Sequence, residues 1–445
     1  MTTWFAEHAL LPTGLATNVR FEAVGGRFTE VVPHAARGDA TLLPGIVLPG
    51  FANAHSHAFH RALRGRTHDG GGTFWTWRRH MYDVAARLDP DSYLALARAA
   101  YAEMALAGVT CVGEFHYLHH DPGGQRYADP NAMGQALRQA AADAGIRLTL
   151  LDTLYLRGGL TADGHPPLEG PQVRFGDGSV EAWEGRVSAL RPDAVMRVGV
   201  AVHSVRAVPR EVLGDVAYLA GHGLGPAGVA AGMPLHAHLS EQPAENHACQ
   251  AFYGRSPTAL LHEEGLLTPR TTVVHATHLG RHDLRTLGRA RTTACLCPTT
   301  ERDLADGIGP ARALADAGCP LSLGSDQHAV VDPFEEVRGL ELHERLRSLR
   351  RGRFSQAELL SAATNHASLG WADAGRLAAG ARADLVAVRL DSVRTAGTQP
   401  AQVLMSAVAA DVDTVIVDGR VVVECGRHRI GDVPRLLDDG IRALW

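Results

Sequence analysis

Long apolar runs are missing from this chain. No window approaches the roughly 20 uncharged apolar residues that a membrane-spanning helix needs. The N-terminal stretch MTTWFAEHALLPTG lacks a basic segment followed by a long apolar one, so no signal peptide is expected. Positive charge is not in surplus either: the net charge is −5, and basic residues are spread along the chain. The one dense group, RLRSLRRGR at 345–353, reads as a solvated helix end, and no nucleic-acid partner is expected. Cysteine is sparse. Cys111, Cys249, Cys295, Cys297, Cys319 and Cys425 are too irregular for a disulfide framework, and Cys295 and Cys297 have no second close pair to complete a Cys-rich zinc site. Together these absences point to a cytoplasmic protein with reduced thiols. Low-complexity linkers are missing as well.

What is present is an ordinary globular composition, 45% hydrophobic and 20% charged, in a chain of 445 residues, too long for one small core. Short β-branched or apolar runs that end in polar residues alternate with Ala/Leu/Arg-rich stretches of helical period. There are eight such runs, at 45–57, 108–117, 146–155, 196–204, 233–241, 271–278, 292–300 and 320–328. Between them lie helix candidates such as PDSYLALARAAYAEMALAG at 90–108. Eight strand–helix units with near-continuous apolar strands predict an α/β fold, a (β/α)₈ TIM-type barrel, whose active site lies at the C-terminal ends of the strands. The two ends of the chain read differently. NVRFEAVGGRFTEVV and VDTVIVDGRVVVECG alternate in period two around Gly-containing turns, the second with a DG hairpin signal. They predict a small β-sandwich built from both termini, dividing the chain into 1–46, a barrel over 47–374, and 375–445.

Polar residues gather at the predicted strand ends. In GFANAHSHAFHRALRG, His55 and His57 alternate along the first strand and project to the same side, with His60 just beyond. The fifth run ends in HAHLSE, with His236, His238 and Glu241; the sixth ends in HATH, with His275 and His278; the eighth ends in GSDQH, with Asp326. A capped or hydrogen-bonded core histidine explains any one of these. It does not explain His or Asp at four strand ends on one face. Imidazoles with a carboxylate form a divalent-metal site, where the ion lowers the pKa of a water and a second carboxylate shuttles its proton. From the residues alone His236 and His278 remain open as ligands.

These features resemble the amidohydrolase superfamily: HxH on strand one, His on strands five and six, Asp on strand eight, and the GRLAAGARADLVAV segment at 375–388. The HxxE of His238–Glu241 and the lack of a barrel lysine to bridge two metals resemble its mononuclear deaminase branch. HSHAFHRALRG, FWTWRRHMYDVAARL, EFHYLHHD, HSVRAV, VHATH and LCPTTERDLADGIGP are similar, within that branch, to the N-formimino-L-glutamate deiminases of histidine degradation.

The resemblance implies one zinc ion per subunit on His55, His57, His238 and Asp326, with Glu241, His275 and Asp326 catalytic. His₃Asp also suits iron, manganese or nickel. It implies substrate contacts from His60, Arg78, Tyr117, His203 and Arg206, a small dicarboxylate substrate, and a homodimer. Two arginines suit two carboxylates, which a guanidinium grips bidentately. His60 stands where the family usually carries Gln, and Asp303 where Asn is expected. Two other functions are compatible with the sequence. One is a related deaminase acting on a purine, pyrimidine or triazine ring; the other is an inactive barrel that uses metal only as a scaffold.

Overall fold

The computed structural model describes residues 1–68, 71–223 and 232–445. The chain opens with four strands, β1 (Thr2–Leu11), β2 (Gly14–Val24), β3 (Arg27–Val32) and β4 (Thr41–Pro49). Gly25 and Gly26, at φ of 58° and 81°, make the two-residue turn between β2 and β3, the left-handed geometry that follows the twist of a hairpin. At Gly50 the chain crosses into a second sheet. A Cβ there would lie 2.4 Å from the Thr110 side chain, so the crossing needs glycine. The run over 45–57 is thus two strands: its first residues belong to β4, which pairs with β1, and β5 (Phe51–Ser56) begins the barrel.

The barrel continues with β6 (Val109–His116), β7 (Arg147–Leu154), β8 (Met196–Val202), β9 (Leu235–Leu239), β10 (Thr271–His275), β11 (Thr293–Leu296) and β12 (Leu321–Leu323). All neighbours are parallel, in the order β12 to β5. The ring closes just past β12: the Asp326 N–H donates to the His55 carbonyl at 3.0 Å and the His57 N–H to the Asp326 carbonyl at 3.1 Å. Ring closure therefore runs through the strand ends that carry His55, His57 and Asp326. Each of the eight runs read from the sequence contains one of these strands. The strands are buried almost throughout because helices cover them, which is why they read as apolar runs.

The helix predicted over 90–108 spans Pro90–Leu106. Asp89 caps it by accepting the Ser92 N–H at 2.8 Å, Pro90 fills the first turn, and Gly108 at φ 94° follows its end. Leu96, Ala100, Tyr101 and Met104 are fully buried on it; Leu96 and Met104 each contribute about 1.5–3 kcal/mol of transfer free energy.

After the barrel, β13 (Leu385–Val388), β14 (Val412–Val417), β15 (Arg420–Glu424) and β16 (Arg427–His428) add antiparallel to β4 and complete an eight-stranded sheet. Asp418 and Gly419, at φ 47° and 73°, form the predicted DG turn. The terminal β-unit is one continuous sheet curled over its own core. Trp4, Phe21 and Phe28 from the N-terminal strands pack with Leu385 and Ile416 from the C-terminal ones, and the Phe28 N–H reaches the Ala381 carbonyl at 2.9 Å. The end of the 375–445 segment departs from that sheet. Val433–Arg442 is a helix laid on Pro90–Leu106, and Trp445 donates its indole N–H to the Ala62 carbonyl at 3.0 Å. Among the described residues no helix is long and apolar enough to cross a membrane.

Candidate metal centre and substrate cavity

Strand alternation at the end of β5 sends His55 and His57 inward and Ser56 outward. There the Ser56 hydroxyl donates to Glu114 Oε2 at 2.7 Å, and the other oxygen of Glu114 accepts the Ala58 N–H at 2.6 Å. This anchors the backbone that carries both imidazoles. His238 enters from β9 and Asp326 from just past β12. One ligand atom from each of the four lies within 4.8 Å of the others, and all four residues are buried. Asp326 Oδ1 is 3.4 Å from the Nε2 atoms of both His55 and His57.

The proton inventory fits a cation. His57 Nδ1 donates to the Phe115 carbonyl at 3.0 Å and His238 Nδ1 to the His203 carbonyl at 2.9 Å, which fixes both rings with a bare Nε2 facing the cluster. His238 Nε2 then faces His55 Nε2 at 3.1 Å, a contact between ring nitrogens that only a shared proton or metal ion makes favourable. Burial lowers the His57 pKa to about 3 and, with the neighbouring imidazoles, pushes His238 well down, so both are neutral ligands near pH 7. Burial pushes the Asp326 carboxyl up, but His55, His275 and His57 outweigh it and hold the group ionised. Three neutral imidazoles and one carboxylate make a suitable tetrahedral set for zinc.

The backbone beside this cluster is strained. Ser240, His275 and Asp326 sit at φ of 51°, 68° and 41°, left-handed values that cost non-glycine residues free energy and gather at functional sites. They aim Glu241, His275 and Asp326 at one another. His275 Nε2 is 3.7 Å from both Glu241 Oε1 and Asp326 Oδ2, and its Nδ1 is 3.5 Å from Glu301 Oε1. Burial opposes its charge, but Glu241, Glu301 and Asp326 prevail and raise its pKa well above the usual value.

A cavity of about 330 Å³ runs from His57, His238, Glu241 and Asp326 to Arg78, with His60, Tyr117, His203 and Arg206 on its walls. His55 and His275 stand behind those walls. His60 Nε2 meets the Tyr117 hydroxyl at 3.1 Å. Arg206 is buried between Glu241 Oε2 at 3.2 Å and Glu245 Oε2 at 3.1 Å, while Arg78 Nε donates to the Tyr82 hydroxyl at 2.5 Å. Every basic residue of the 43 is arginine, so no lysine serves as nucleophile or bridging ligand anywhere in the chain.

Other candidates lie elsewhere. His236 Nε2 bonds the Ser368 carbonyl at 3.0 Å, and His278 Nε2 the Asp306 carbonyl at 2.8 Å. Asp303 is outside the cavity wall, held by His68 at 2.8 Å and Gln327 at 2.7 Å. His116 and His119 of EFHYLHHD approach Asp152, but Arg186 already grips that carboxylate at 2.6 and 2.8 Å, and Trp183 donates to it at 2.9 Å. That group is a buried ion pair.

Sequence reasoning missed Glu301, Glu245, Tyr82, Tyr155 and Gln172. Glu301 lies in the quoted LCPTTER motif and Tyr155 closes the third strand run, so position was their only signal. Gln172 had none.

Comparison with known proteins extends this. Residues 46–422 match the amidohydrolase family model. The chain is 40% identical to a formimidoylglutamate deiminase of Pseudomonas aeruginosa, over 96% of each chain. It is 29% identical to an 8-oxoguanine deaminase of the same organism, over 89% of this chain and 86% of that one. Among solved structures, an amidohydrolase from Brucella melitensis superposes with a TM-score of 0.89 at 31% identity, covering 100% of both chains. Barrel, peripheral sheet and strand-end cluster all agree with this match: the chain belongs to the amidohydrolase family.

Proposed function

We propose that the chain hydrolyses N-formimino-L-glutamate to N-formyl-L-glutamate and ammonia, a step of histidine degradation, with one zinc ion on His55, His57, His238 and Asp326. The observation that carries the reading is one cavity with His57, His238 and Asp326 of that cluster on its wall together with two guanidinium groups, Arg78 and Arg206. The full-length similarity to a formimidoylglutamate deiminase supports the substrate choice.

Bound zinc supplies a Lewis acid that makes water a nucleophile near neutral pH. The rest is done by side chains. Water adds to the formimino carbon, and Glu241 takes one of its protons at a carboxylate oxygen. Glu241 then hands that proton to the departing nitrogen while Asp326 accepts the remaining hydroxyl proton as the C–N bond breaks, so ammonia leaves instead of a far more basic amide anion. His275, held by three carboxylates, points an N–H at the oxygen where negative charge grows, a donor worth about 3 kcal/mol when preorganised. Arg206 and Arg78 receive the two substrate carboxylates, with His60, Tyr117 and His203 lining the path between. The cytoplasmic location and homodimer implied by the resemblance belong to the same reading; light scattering on purified protein tests the dimer.

The function is tested by ammonia release from N-formimino-L-glutamate against 8-oxoguanine and 5-methylthioadenosine. We expect the formimino substrate to lead in kcat/KM by at least about 10⁴-fold, because a cavity that presents Arg78 and Arg206 to carboxylates offers a ring substrate no matching partners. Turnover of a ring substrate alone would overturn the proposal.

A further inference from the structure

Tyr82 and Tyr155 line the cavity, and neither they nor their neighbour Gln172 has a role in the reaction outlined above. Gln172 is buried, and two main-chain groups fix its amide: Oε1 accepts the Glu169 N–H at 3.2 Å and Nε2 donates to the Gly158 carbonyl at 3.0 Å. Nε2 is therefore a donor and cannot be turned over. Its remaining hydrogen is shared by two phenol oxygens, those of Tyr82 at 3.0 Å and Tyr155 at 3.2 Å. The Tyr82 oxygen also accepts Arg78 Nε–H at 2.5 Å.

Donor and acceptor counts then leave one arrangement. A phenol has a single hydrogen, and an oxygen that accepts from its protein neighbours must give that hydrogen elsewhere. Among the described residues neither hydroxyl has an acceptor, and both tyrosines line the cavity. Arg78 is tied through Nε, which leaves Nη1 open. Arg78 Nη2 reaches the Gly158 carbonyl at 3.5 Å, so two O–H donors and the Nη1 end of a guanidinium are left to converge, and such a set calls for an anionic oxygen acceptor. Arg206 already touches Glu241, so the carboxylate nearest the reacting carbon belongs there.

We propose that Arg78, Tyr82 and Tyr155 form the seat for the side-chain carboxylate of the substrate, and that Gln172 is a positioning residue that sets its polarity by forcing both phenols to donate inward. The identity of the carboxylate rests on the deiminase reading; the polarity argument does not.

The test uses Tyr82→Phe and Gln172→Glu, both close in volume to the original residues. With glutamate in place of Gln172, the phenols turn their hydrogens back towards it. Charge-assisted hydrogen bonds of this kind give an expected rise in KM for N-formimino-L-glutamate of about tenfold or more in each variant, with kcat changed less than about threefold. N-formimino-L-norvaline, which lacks the side-chain carboxylate, separates seating from general damage: the variants should match wild type on it. L-glutamate should raise the melting temperature of wild type and not of Gln172→Glu. An unchanged KM on the glutamate substrate, or an equal rise on both substrates, overturns the seat. If wild type turns over N-formimino-L-glutamate and Tyr82→Phe is indistinguishable from it, the seat alone falls. If wild type fails on that substrate while L-glutamate still stabilises it through Tyr82 and Gln172, the deiminase reading falls and the seat stands.

Discussion

Two buried polar clusters occupy opposite ends of the barrel, and they are built to opposite rules. At the N-terminal end, Arg147 opens β7 and reaches Asp384, just before β13. One nitrogen lies 3.0 Å from Asp384 Oδ1 and 3.0 Å from Asp418 Oδ1, and a second bonds Asp384 Oδ2. Asp384 also accepts the Asp418 N–H at 3.0 Å, Arg382 holds Asp418 at 2.8 Å, and Trp371 lies under Arg147, Arg197 and Arg382. Each carboxylate there has its cation, and the cluster clamps the peripheral sheet to the barrel. At the C-terminal end neither ring nitrogen of His275 has a hydrogen-bond partner, His55 Nδ1 has none, and Ser240, His275, Ala276, Asp326 and His328 hold left-handed backbone. Buried charges paired with one another hold a fold together, and in this cluster only Arg147 Nε is left without a partner among the described residues. Groups left unpaired at a strained strand end are waiting for something the chain does not itself supply.

Substitutions on the two sides should therefore differ in kind. The largest effect is expected at the mouth: Asp326→Asn should lose both bound zinc, measured by elemental analysis, and ammonia release, while the protein stays folded. Glu241→Gln should keep the metal and still lose about 10²–10⁴ in kcat. Asp384→Asn should do the reverse, leaving turnover per folded molecule intact and costing about 3 kcal/mol in urea denaturation, because Arg147 is left buried with a weaker partner. The pH dependence has a definite sign. Burial raises the Asp384 pKa, but Arg147 outweighs it and the folded value is depressed. The stabilisation is complete above the unfolded value of about 4 and is lost as pH falls through the folded value, so wild type and Asp384→Asn should converge in acid. A smaller change, about tenfold in kcat, is expected for Glu301→Gln, which weakens the hold on His275 from behind. The smallest is Gly419→Ala in the hairpin turn: φ of 73° costs an alanine about 1–2 kcal/mol in stability, with activity untouched.

The mouth was far more legible in the sequence than the base. Parallel strands buried on both faces leave uninterrupted apolar runs, and polar residues that end such runs mark one face of a barrel, so the strand ends carrying His55, His57, His238, Glu241, His275 and Asp326 stood out, while only the family resemblance separated them from His236 and His278. The clamp left no such trace: Arg147 and Asp384 are 237 positions apart, and each looks like an ordinary charge in its own segment. The same holds for Gln172 and Tyr82, 90 positions apart. The C-terminal helix was hidden because it follows a run of clear hairpin signals, and its apolar residues fit a sheet edge as readily as a helix face.

The sequence by itself determined the period of each segment, the turns that need glycine, and which strand ends carry imidazole or carboxylate, because these follow from backbone geometry within a few residues. Only the tertiary structure decided that Gly50 divides one apolar run between two sheets, that the termini share a single curled sheet, and that ring closure at His55 and Asp326 brings donor atoms of His55, His57, His238 and Asp326 within 4.8 Å of one another. It also decided which charges are paired and which face an open cavity. Hydrogen-bond partners are chosen by distance in space, and distance in space is set by the packing of the whole barrel.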